Sequence, residues 1–191
     1  KAAAYPASGY HTPTIGWMAD LQRMTIDDLR HWYESWYAPN NATLVVVGDV
    51  TADEVKPLAK RYFGEIPWRQ LPPARKPLEL AEPGERRLKL YVRTQLPNLI
   101  MGFNVPSLGS SENPREVNAL RLIGALLDGG YSARLASRLE RGEELVAGAS
   151  TYYDAFNRGD SLFVLSATPN VQKGKTLEQV EAGLWKQLDD L

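Results

Sequence analysis

The stretch TIDDLRHWYESWYAPNNATLVVVGD, residues 25–49, leaves a chain few ways to fold. Thr25 suits a helix N-cap, with Asp28 three residues on as the acid of a capping box. Leu29, Trp32, Tyr33 and Trp36 then recur at helical spacing and predict an aromatic face turned to a core. Pro39 biases Ala38 away from helical backbone, and Asn40 and Asn41 supply turn chemistry. The next run, residues 42–47, is β-branched enough to predict a buried strand. An aromatic helix turning sharply onto a strand is the unit around which the other segments must be arranged.

The chain has 191 residues, enough for one sizeable core. Its 22 basic and 23 acidic residues leave a formal charge of −1, so no net field argues for nucleic acid or an anionic membrane. With no cysteine there is no disulfide, thiolate metal site or cysteine nucleophile. No apolar run approaches the roughly 18 residues a membrane-spanning helix needs. The opening KAAAYP and the closing LWKQLDDL lack start and stop signals, and predict a piece of a longer protein.

Residues 1–15 lack periodicity and predict a lead-in arm, in which His11 is an exposed loop residue. A single α+β module is expected over 16–191. Within it, 16–67 form an α-β-α part, because Thr51 and Glu54 box a second helix through Val55, Leu58 and Tyr62. Residues 68–84 are a proline-rich connector. Residues 85–191 are the β-β-α-α-β-β-α part. Leu88, Leu90 and Val92 alternate with Arg87, Lys89, Tyr91 and Arg93 to predict a strand over 85–94, and a second covers 99–105. Asn113 caps a helix with Pro114 in its first turn and a stripe of Val117, Leu120, Ile123, Leu126 and Leu127. Ser132 opens a shorter helix through Leu135 and Leu139. Strands follow over 144–155 and 161–168, joined by the turn Asn157-Arg158-Gly159-Asp160. Thr176 and Gln179 box a last helix carrying Val180, Leu184 and Leu188. The fold class is α+β: a two-layer sandwich of a mainly antiparallel sheet with helices on one face.

Several strings then converge. Gly16-Trp17, Asp20-Leu21, Met24-Thr25, WYAPNN (36–41), VVVGD (45–49) and Tyr62-Phe63-Gly64 stand in an order that resembles the insulinase/pitrilysin zinc metallopeptidases, which include the mitochondrial processing peptidase and its non-catalytic relatives. LLDGGYSARLASRLERGEELVAGASTYYD is a second match. The resemblance implies the C-terminal module of one half of such a peptidase, following a zinc-bearing module, and a processing-peptidase-like metallohydrolase fold.

The family's zinc sits on an inverted His-x-x-Glu-His helix with a further glutamate, because two imidazoles and a carboxylate must converge around an open position. This chain has two histidines. His31 and Glu34 come nearest, but Ser35 stands where the second imidazole belongs, and the helix matches the family's aromatic helix rather than its zinc helix. The family's substrate-gripping Arg and Tyr fall on Glu140 and Ala147, so neither role carries over. Gly129, Gly130 and Ser132 fit a helix end followed by a new start better than a phosphate cradle, since no Lys-Ser/Thr pair follows. Arg134 and Arg138 are expected to be solvated, and Trp32, Tyr33, Trp36 and Tyr37 to pack in a core rather than stack on bases. A serine hydrolase lacks both a Gly-x-Ser-x-Gly elbow and a base.

The expectation is therefore a module without catalytic, cofactor or metal residues of its own, inactive alone, with zinc held by a missing upstream module. Its partners would be that module, a second half of the same or a paired polypeptide, and a peptide substrate, with no nucleic acid. A scaffold module of a relative that has lost proteolysis is the alternative. The resemblance is compatible with a bacterial periplasmic or secreted home.

Overall fold

The computed structural model describes residues 1–73, 77–80 and 84–191. It divides into two units, Lys1–Pro13 with Lys76–Leu191 and Thr14–Arg75. Part of the proline-rich connector, residues 74–76 and 81–83, lies outside the described residues.

The smaller unit contains α1 (Met18–Arg23), α2 (Ile26–Trp36), a 3-10 turn (Pro39–Asn41) and α3 (Ala52–Phe63). Both capping boxes form: the Thr25 N–H donates to Asp28 Oδ2 at 2.8 Å and the Thr51 N–H to Glu54 Oε2 at 2.7 Å. Each acid thereby satisfies a helix-start donor that the helix itself cannot. The Asn40 amide exchanges two hydrogen bonds with the backbone of Arg69, and Asn41 Nδ2 donates to the Trp36 carbonyl at 2.9 Å. The asparagines thus fix the turn.

Two expectations fail in this unit. Residues 42–47 join no sheet, because β-branched composition favours extended backbone but a strand also needs a neighbour to bond. The aromatic stripe of α2 does not enter a core. Leu29, Trp32 and Tyr33 stay exposed, Trp36 is half-buried, and Ala38 alone among the unit's described residues is buried.

The larger unit is built on β1 (Leu99–Val105), β2 (Val146–Tyr153) and β3 (Ser161–Pro169). They form an antiparallel sheet in the order β1-β3-β2, with Phe103 opposite Phe163 on one side and Thr151 opposite Leu165 on the other. β3 is central, so its alternation is absolute. Ser161, Phe163, Leu165, Ala167 and Pro169 are buried, while Leu162, Val164, Ser166 and Thr168 are half-buried on the opposite face. Onto the first face pack α4 (Pro114–Asp128), a π-helical turn (Leu135–Glu140) and α5 (Leu177–Asp189). The core joins Leu127, Leu135, Leu139, Leu145, Val146, Val180 and Leu184 to the inward residues of β3. This is the expected two-layer α+β sandwich.

Three local differences have physical causes. Residues 85–94 form no strand and bend at Arg93, leaving Leu88, Leu90 and Val92 exposed. Ser132 caps no helix: the Ala133 N–H closes a turn on Gly130 first, and the helical segment starts three residues later without a side-chain cap. Leu126 leaves the stripe of α4 and faces solvent, while Val117 and Leu127 are fully buried.

Candidate functional site

The half-buried face of the sheet carries a concavity of about 500 Å³. Its floor is Ile100 and Gly102 of β1, Leu162 and Val164 of β3 and Tyr152 of β2. These are the residues that alternation turns away from the helices. The amino-terminal arm supplies one wall with Tyr5 and Tyr10, and Arg86 and Leu88 supply another.

The arm is held by a set of polar contacts. Glu79 accepts the N–H groups of Ala7 at 3.1 Å, Ser8 at 3.0 Å and Leu80 at 2.7 Å. Burial pushes the Glu79 carboxyl up, but these backbone donors, helped by the charge of Arg86, hold it below its usual value. Asn104 Nδ2 donates to the Ala4 carbonyl and an Arg86 guanidinium N–H to the Ala3 carbonyl. Tyr5 is buried with its hydroxyl on the Asp160 carbonyl, and burial pushes this phenol up to about 12. Sequence patterns could not find Glu79 or Asn104, because no spacing rule links them to an arm roughly 70 and 100 residues away. The resulting groove has a largely apolar floor and a polar rim that includes Lys1, Arg86 and Asp154.

The residues weighed for chemistry are dispersed. His11 is half-buried, its Nδ1 within 2.7 Å of the Ser8 carbonyl, rather than the exposed loop residue expected. His31 and Glu34 lie exposed on α2, and Ser35 donates its hydroxyl proton to the His31 carbonyl. Among the described residues no three His, Cys, Asp or Glu side chains gather as metal ligands would. These residues do not fit a peptidase zinc site.

Glu140 Oε1 accepts the Ala149 N–H at 3.0 Å, so its carboxylate is committed to β2, and Ala147 is exposed. Gly130, at φ 122°, takes the backbone a side chain would resist, and Gly129 caps α4. Arg138 is exposed as expected and Arg134 half-buried, and both hold the end of the last helix: Arg134 donates to the Asp190 carbonyl at 2.9 Å and Arg138 to its carboxylate at 3.0 Å. Tyr33 and Tyr37 stack on each other with centroids 4.4 Å apart.

The peptidase M16 inactive domain family matches residues 23–191. The zinc protease PqqE of Helicobacter pylori is 28% identical over 189 residues, covering 96% of this chain and 41% of that protein. The probable zinc protease PqqL of Escherichia coli is 40% identical over 53 residues, 28% of this chain and 6% of that protein. Among solved structures, a protease from Helicobacter pylori superposes with a TM-score of 0.74 at 26% identity, over 98% of this chain and 49% of that one. The periplasmic protease PqqL from Escherichia coli gives 0.59 at 20% identity, over 82% and 17%. The chain thus spans less than half the length of each of these relatives. The sheet with helices on one face, the aromatic helix and the Pro-Asn-Asn turn all fall within the matched region, and the chain belongs to the insulinase-type peptidase family M16, as its inactive domain.

Proposed function

We propose that this domain is the non-catalytic companion of a zinc-bearing module in a metallopeptidase. The open sheet face of its larger unit walls a peptide-holding chamber, and the apolar surface of its smaller unit packs against the zinc-bearing module. The observation that carries this reading is the state of Thr14–Arg75. Val45 is 74% exposed, Val47 93% and Trp32 54%, alongside Leu29, Tyr33, Leu44 and Leu58. An exposed apolar surface of this extent marks an interaction site. Fully burying one such aliphatic side chain is worth about 1.5–3 kcal/mol, so covering several outweighs the cost of association. The groove supports the chamber role, and the periplasmic location of PqqL makes that compartment our proposal for the parent protein.

The experiment mixes the chain with the separately expressed zinc-bearing module of its parent. A one-to-one complex should form, with a blue shift of tryptophan emission as Trp32 leaves water. Chelator-sensitive peptide hydrolysis should require the zinc-bearing module and be absent from the chain alone. Stoichiometric zinc binding by the chain alone, or no complex with the module, would overturn the proposal.

A further inference from the structure

β2 is an outer strand, and alternate N–H groups of an outer strand point away from the sheet as a template for another strand. Its sequence, VAGASTYY, has no charge and no proline, so beyond the irregular register between Val146 and Gly148 it lacks the usual protections against edge pairing. The protection comes from elsewhere. The Ala149 N–H donates to Glu140 Oε1 at 3.0 Å and the Thr151 N–H to Asp128 Oδ2 at 2.9 Å. These donors lie two residues apart, the spacing at which an added antiparallel strand would bond.

The two carboxylates are placed by the same device. Asp128 follows Leu127 at the end of α4, and Glu140 follows Leu139 at the end of the π-helical turn, and both leucines are fully buried. Each acid is therefore anchored by its neighbour rather than free to swing. A hydrogen bond from Thr151 Oγ1 to the Gly124 carbonyl ties the strand to α4 as well.

We propose that Asp128 and Glu140 guard the outer edge of β2, closing it to antiparallel pairing with β2 of a second copy of this chain. Two identical strands can pair about a two-fold axis with their small and aromatic residues in register. While the carboxylates hold the outward donors, that pairing must first displace two charge-assisted hydrogen bonds.

The test compares the full chain with its Asp128→Ala, Glu140→Ala and double variants, using a labelled synthetic peptide of residues 146–153 as the strand probe. In the double variant, amide exchange at Ala149 and Thr151 should rise at least tenfold while the β3 amides hold their rates. The peptide should bind it at least tenfold more tightly than the parent. Each single variant should release only its own amide, a readout that stands even if the double variant fails to fold. Glu140→Gln combined with Asp128→Asn keeps both acceptors and should stay closed. Unchanged exchange in the alanine variants, peptide binding by the parent or by the Gln/Asn variant as tight as by the double variant, or no binding by a folded double variant would each overturn the proposal.

Discussion

Ser107 shows how much one hydroxyl can organise. It is fully buried, its Oγ lies 2.9 Å from the Asn157 carbonyl and 2.8 Å from the Gly159 carbonyl, and it accepts the Gly109 N–H at 3.1 Å. One residue thus ties the loop after β1 to the hairpin between β2 and β3. Ser107→Ala should cost about 1–3 kcal/mol, because it leaves buried backbone groups without a partner; chemical denaturation of the larger unit's signal checks this. Tyr5 makes a pH-dependent contribution of opposite kind to a carboxylate. Its folded value of about 12 exceeds its ordinary 10, so its stabilisation is complete below pH 10 and is lost as pH rises through 12. Docking of the arm, followed by amide exchange at Ala7 and Ser8, should weaken over that window, and Tyr5→Phe should remove the dependence. Asp28 titrates the other way. The Thr25 hydroxyl and backbone N–H hold its carboxyl low, so the cap persists above the ordinary carboxylate range and fails only as pH falls through the depressed value. Protection of the first amides of α2, taken relative to the intrinsic exchange rate at each pH, should fall there.

At the scale of elements, local chemistry explains which features could be read from the sequence. All three capping boxes, at Thr25, Thr51 and Thr176, and the N-cap at Asn113 form as spacing predicts, because each is settled within four residues. β1 has its expected bounds, and the last two strands fall within a few residues of theirs. What could not be read depends on partners. Residues 42–47 and 85–94 have strand-like composition, but pairing is not a local property. The π-helical turn was equally hidden: its wide bonds, from the Arg141 N–H to the Ala136 carbonyl and from the Glu143 N–H to the Arg138 carbonyl, follow from packing. At the site, that the chain has only two histidines is read directly from the sequence, whereas the clasp of Glu79 on the arm needed three dimensions. Packing also fixes α5. A Cβ at Gly183 would strike Leu145 and approach Leu139, so Gly183→Ala should lower stability by about 1–3 kcal/mol, measurable as a lower melting temperature.

Across the whole molecule the two units differ in how they are stabilised. The larger one has a continuous core, and Leu165→Ala at its centre should cost about 2–5 kcal/mol in a thermal or denaturant titration. The smaller one has caps and turns but almost no interior. Amide exchange should therefore show β3 protected by orders of magnitude more than α2 or α3 in the isolated chain. That contrast bears on synthesis as well as assembly. A ribbon as greasy as residues 42–47, emerging with nothing to cover it, is a natural client for chaperones and a seed for inclusion bodies. Truncations of such proteins should accordingly be cut so that this ribbon leaves the ribosome together with the surface that shields it.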